Sequence, residues 1–110
     1  MKINYSTNKL RKQVSSASEI KKNFGVIAKR LSGRLDDIES APTLAVLKQI
    51  GAAHCHPLSG DRIGQWSISV SGNYRIVFTI GHDPIPATED GSVDAKLVTD
   101  ITIIEIVDYH

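Results

Sequence analysis

The sequence predicts an α+β domain in which a mainly antiparallel sheet packs against N-terminal helices, and three observations carry that expectation. An apolar stripe spaced by three and four residues runs through the N-terminal half, and the spacing changes to two from Trp66 onward. A β-branched run, Ile101 to Val107, stands near the C-terminal end.

Lys2, Ile3, Asn4 and Tyr5 alternate polar and apolar and predict a short first strand, followed by Ser6 or Thr7 as a helix cap. Ile20, Phe24, Ile27, Ala28, Leu31, Leu35 and Ile38 then form one stripe, which predicts an amphipathic helix from about Ser16 to Ser40. Gly25 and Gly33 weaken that helix by up to roughly 1 kcal/mol each relative to alanine, which fits close packing or a bend. Ala41-Pro42 ends it, and a shorter helical piece, Leu44 to Ile50, precedes Gly51.

Trp66, Ile68 and Val70 alternate with Gln65, Ser67 and Ser69, and Tyr74, Ile76, Phe78 and Ile80 alternate with Arg75, Val77 and Thr79. A three-residue loop, Ser71-Gly72-Asn73, pairs Val70 with Tyr74, Ile68 with Ile76 and Trp66 with Phe78, whereas a two-residue loop would mismatch the faces. This register buries the aromatic side chains under the helices and displays Arg75 on the opposite face beside Ser67 and Ser69. Gly81 to Thr99, with Pro84, Pro86 and Gly91, reads as a long connection, and Ile101 to Val107 as a buried central strand.

A chain of 110 residues fits a single domain, 1–110. Its 41% hydrophobic and 23% charged residues are ordinary for a globular protein, and no apolar run approaches the roughly 20 residues of a membrane-spanning helix. The basic start MKINYSTNKLRK lacks an apolar core behind it, so no secretory leader and no membrane association are expected, and residence is expected to be cytoplasmic. Cys55 is the only cysteine, which excludes an internal disulfide. Charge is divided: residues 1–34 hold nine bases against Glu19, a net +8, and residues 35–110 hold four bases against 11 acids, a net −7. A basic third of this kind, with Lys21, Lys22, Lys29 and Arg30 on the long helix, suits contact with RNA phosphates as well as a plain solvated surface.

Ionisable side chains concentrate in two stretches, HCHPLSGDR (His54 to Arg62) and DYH (Asp108 to His110), both expected at edges of the same sheet. Pro57 biases His56 toward extended backbone. His, Asp, Tyr and Arg without a nucleotide or metal motif suit RNA transesterification: a base takes the 2′-hydroxyl proton, an acid protonates the leaving 5′-oxygen, and arginine stabilises the phosphorane-like charge. Two other readings are open to the same residues. His54 and His56 can be exposed strand-edge side chains, and with Cys55, Asp108 and His110 they can be arranged as zinc ligands. Asp61-Arg62 can be a turn ion pair, and Trp66 and Tyr74 read as core. Tyr109 offers a surface for a base to stack on.

HPLSGDRIGQWSISVSGNYRIVF (His56 to Phe78) followed by EIVDYH (Glu105 to His110) closely resembles the HigB branch of the RelE/ParE toxin superfamily. The likeness covers roughly the last half of the chain without the Gly81 to Thr99 loop, while the helical half agrees in order and length rather than in residues. It implies a small RelE/ParE-like fold and a metal-independent endoribonuclease that needs no cofactor and cuts messenger RNA on the ribosome. By matched position it implies His56, Asp108 and His110 as acid/base groups, Arg75 as phosphate stabiliser, Tyr109 as a positioning or stacking residue, and Arg62 as a further phosphate contact. The partners implied are a HigA-like helix-turn-helix antitoxin, the ribosome and messenger RNA. Relatives often carry lysine where this chain has Ser59, which bears on rate and substrate preference. The same fold also supports a gyrase-inhibiting toxin that is no nuclease, or a catalytically weak RNA-binding relative.

Overall fold

The computed structural model describes residues 1–108 and contains one five-stranded sheet with helices on one face. The strands are β1 (Lys2–Tyr5), β2 (His56–Pro57), β3 (Gln65–Ser69), β4 (Tyr74–Ile80) and β5 (Asp100–Asp108), in the spatial order β1-β5-β4-β3-β2. β1 runs parallel to β5, and all other neighbours are antiparallel. The helices are α1 (Asn8–Gln13), α2 (Ala17–Phe24), α3 (Ala28–Ser40) and α4 (Leu44–Leu47). Thr7 caps α1 by accepting a hydrogen bond from the Leu10 amide at 3.1 Å, and Ser16 caps α2 through the Glu19 amide at 3.2 Å. Among the described residues no helix is long and apolar enough to cross a membrane.

The predicted single helix from Ser16 to Ser40 is two helices. α2 ends at Gly25, whose φ of 53° and ψ of −116° an L side chain rarely adopts, and a tight turn, Gly25–Ile27, leads into α3. The stripe could not reveal the break, because Ile20 from α2 and Leu31, Leu35 and Ile38 from α3 enter the same core. Gly33 is different. α3 continues through it, and a Cβ there would meet no atom within 4 Å, so the helix carries a glycine that packing does not require, at a cost of roughly 1 kcal/mol relative to alanine. Ala41 leaves α3 in an extended conformation, as the following proline favours.

The hairpin has the predicted register: Trp66 pairs with Phe78 and Ile68 with Ile76, and the Val70 amide donates to the Tyr74 carbonyl at 2.9 Å. Trp66 and Phe78 stack with ring centroids 6.4 Å apart, and both are buried with Ile68, Ile76, Ile101 and Ile103 beneath the helices. β5 lies between β1 and β4, but β1 pairs only with Asp100–Ile103, so the end of β5 that carries Asp108 has β4 alone as its strand neighbour among the described residues.

A register shift in the β4–β5 ladder decides what the other face presents. Phe78 pairs with Ile103 but Val77 pairs with Glu105, so Ile104 is the extra residue of a bulge. Ile101, Ile103 and Ile106 therefore all turn to the helix side, while Glu105 and Val107 turn away from it. Strict alternation from Ile103 would have driven the Glu105 carboxylate into the apolar core.

Candidate active site

The sheet face turned away from the helices carries the chemistry. One cross-strand row runs His56, Ser67, Val77, Glu105 over β2, β3, β4 and β5, and the next row on that face runs Ser69, Arg75, Val107. Rows that share a face lie about 7 Å apart along the strands. His56 and Arg75 thus stand on neighbouring rows, with β3 between their own strands.

His56 is exposed on the edge strand, and its Nδ1 lies 2.6 Å from the carbonyl oxygen of His54. A carbonyl only accepts, so the shared proton belongs to Nδ1, and a neutral imidazole is left with its lone pair on Nε2. His54 sets up this contact from left-handed backbone, φ 46° and ψ 46°, an uncommon conformation for a residue with a side chain. Cys55 between them is half-buried, and burial pushes its thiol up to about 12, so it stays protonated near neutral pH and is a poor nucleophile or metal ligand. Among the described residues no three His, Cys, Asp or Glu side chains gather as a metal site would require.

Arg75 is held by one nitrogen. Its Nη1 donates to Ser69 Oγ at 2.8 Å and to the carbonyls of Ser71 and Tyr74 at 3.3 and 3.4 Å. Nε and Nη2 have no partner among the described residues, so the guanidinium keeps donors for a phosphate while its position is fixed.

Arg62, open to reading as half of a turn ion pair with Asp61 or as a phosphate contact, reaches across the sheet. Its Nη1 donates to Gln65 Oε1 at 2.8 Å and lies 2.6 Å from Glu105 Oε1. Gln65 is on β3 and Glu105 on β5, so the guanidinium spans β4, above Val77, which is fully buried although it faces away from the helix core. Glu105 is the residue that sequence reasoning missed. Its signal was a lone carboxylate inside the run Ile101 to Val107, otherwise β-branched throughout.

Asp108 pairs with Tyr74 and so belongs to the helix-side set of β5, across the sheet from Arg75. The structure does not bring these two candidates together, and the reason is again the bulge, which reverses the side on which even-numbered residues of β5 lie. Tyr109 and His110 lie outside the described residues. Ser59 is extended and opens the turn Gly60–Arg62. Lys21, Lys22, Lys29 and Arg30 are all exposed, on α2 and the first turn of α3, away from the sheet's open face.

The chain has the fold of small toxins of known structure. It superposes on a YoeB/ParE toxin from Agrobacterium tumefaciens with a TM-score of 0.55 at 13% identity, covering all of both chains. It also superposes on the YoeB-YefM complex from Staphylococcus aureus with a TM-score of 0.54 at 15% identity, and on the Staphylococcus aureus YoeB dimer with 0.51 at 17%, covering all of this chain and 97% of the other chain in each case. In sequence, 50 residues are 46% identical to the endoribonuclease HigB of Proteus vulgaris, 44% of this chain and 52% of that protein. The chain thus spans about half the length of the curated relative it matches. No protein-family model matches it.

Proposed function

We propose that this protein is the toxin of a type II toxin–antitoxin pair, an endoribonuclease that cuts messenger RNA on the ribosome and is silenced by a HigA-like helix-turn-helix antitoxin. The observation that carries this reading is the pairing of a base-competent His56 with a partly unoccupied Arg75 on one face of a RelE/ParE fold. The HigB-like sequence supports it.

In this reaction His56 Nε2 takes the proton from a 2′-hydroxyl, and the freed oxygen attacks the adjacent phosphorus. The P–O5′ bond breaks, an acid returns a proton to the 5′-oxygen, and the products are a 2′,3′-cyclic phosphate and a 5′-hydroxyl. Arg75 offers Nε and Nη2 to the phosphoryl oxygens as their charge grows. Arg62, held and partly neutralised by Glu105, is a further phosphate contact. Asp108, across the sheet from Arg75, takes no part in this step, and Tyr109 and His110 enter on the sequence motif alone, as stacking residue and acid/base group. No residue is assigned to a cofactor or metal. A ribosomal target requires residence in the cytoplasm.

Mapping transcript ends in cells that make the wild type, His56→Ala or His110→Ala tests the proposal. New ends inside codons are expected for the wild type and are lost in both variants. Growth arrest without new ends would instead favour a poison of another target, such as gyrase.

A further inference from the structure

A second cationic feature lies around the hairpin end from Arg75. Arg30, Gly33, Arg34 and Asp37 are spaced by three and four residues and form one stripe of α3, distinct from the buried stripe Leu31, Leu35 and Ile38. Arg30, Gly33 and Arg34 form one wall of an open cleft of about 390 Å³, and Ser69, Ser71 and Gly72 of the hairpin form the other. Among the described residues no carboxylate lines it.

Ser69 is shared by the cleft and the candidate active site. Arg34 Nε donates to its carbonyl at 2.7 Å, and Arg75 Nη1 donates to its hydroxyl at 2.8 Å. The Ser71 carbonyl also accepts from Arg75, so one short polar wall separates the two cationic sites. Arg34 is partly neutralised by Asp37 at 3.0 Å, whereas Arg30 is exposed and has no ion pair among the described residues. Gly33 sits inside a helix that would be more stable with alanine, nothing packs against it, and any side chain there would grow into the cleft.

We propose that this cleft binds a phosphodiester of the RNA strand being cut, next to the scissile one. It rests on the nuclease reading above. Arg30 supplies the uncommitted charge, Arg34 holds the hairpin wall in place, and the absent side chain of Gly33 leaves room for the phosphate. The shared wall favours the substrate strand over an acidic protein segment, because a strand whose scissile phosphate lies at Arg75 meets the cleft directly on passing the hairpin end.

The test is single-turnover cleavage of messenger RNA on programmed ribosomes, with transcripts carrying one neutral methylphosphonate in turn at each phosphate flanking the cut. One flanking methylphosphonate is expected to slow the wild type by about tenfold, the worth of one charge-assisted hydrogen bond. Arg30→Gln and Gly33→Phe should each slow cleavage of the unmodified transcript by about the same factor, and neither should slow further on the modified one. Thermal unfolding confirms that the variants fold, and Arg30→Gln removes only an exposed side chain. Wild-type cleavage unaffected by any flanking methylphosphonate overturns the cleft while leaving the nuclease standing, and so does full activity of Gly33→Phe. Weakened ribosome or antitoxin binding by Arg30→Gln with an unchanged cleavage rate assigns the arginine to ribosomal RNA or to an acidic partner and also overturns it. A wild type that cuts nothing overturns both readings.

Discussion

At the scale of single residues the arrangement turns on a backbone carbonyl. His56 can act as a base through Nε2 only while Nδ1 keeps its proton, and the His54 carbonyl holds that proton in place. Left-handed backbone costs an L residue roughly 1–2 kcal/mol, a penalty that glycine does not carry. His54→Gly should therefore keep or raise stability, while His54→Val, β-branched and least suited to φ of 46°, should lose about 1–2 kcal/mol in urea unfolding. Cleavage should follow the same order, with His54→Val the slower enzyme. Equal stability of the two variants would mean that the left-handed conformation is not populated in solution. His56 was legible as a candidate from its place before proline in an ionisable cluster. Its tautomer was not, since the acceptor is a main-chain atom that any residue could supply.

At the scale of elements, the helices and β5 depart from their simplest reading for different reasons. The α2–α3 break depends on Gly25, at φ 53°, so Gly25→Ala should destabilise by about 1 kcal/mol or more. Gly33→Ala, in ordinary helix with open space around it, should stabilise by up to about 1 kcal/mol. Denaturant unfolding of the two variants should therefore move in opposite directions, and a shared direction would contradict the broken helix. The hairpin was readable because a loop length and two alternating strands fix a register locally. The bulge at Ile104 was not, because inserting one residue into a strand leaves a β-branched run that looks the same from either side. Glu105 held the clue: a carboxylate in such a run needs a partner, which the fold supplies as Arg62.

At the scale of the whole molecule, the division of charge becomes a division of surface. The bases of the first third are carried largely by the helices, and Lys21, Lys22, Lys29 and Arg30 are exposed around the turn between α2 and α3, where Val26 is also fully exposed. The molecule is elongated, 44 × 26 × 25 Å, and this basic region lies on the helices, away from the open face of the sheet. If this region grips ribosomal RNA, neutralising Lys21, Lys22 and Lys29 together should weaken ribosome binding and reduce the slope of log K against log salt by roughly 0.7–0.9 for each phosphate the protein no longer neutralises. Identical binding across a salt series would remove the region from the interface.

The sequence by itself determined the α+β class, the hairpin register, the display of Arg75 beside Ser69 and the separation of charge. All of these follow from periodicity, turn length and composition, which act over a few residues. Only the tertiary structure decided that Arg62 reaches across β4 to Glu105, that Asp108 falls on the opposite side of the sheet from Arg75, and that α3 and the hairpin enclose a cleft. These depend on which strand lies beside which and on a single bulged residue, and a shift of one position reverses every side chain beyond it without changing the local pattern.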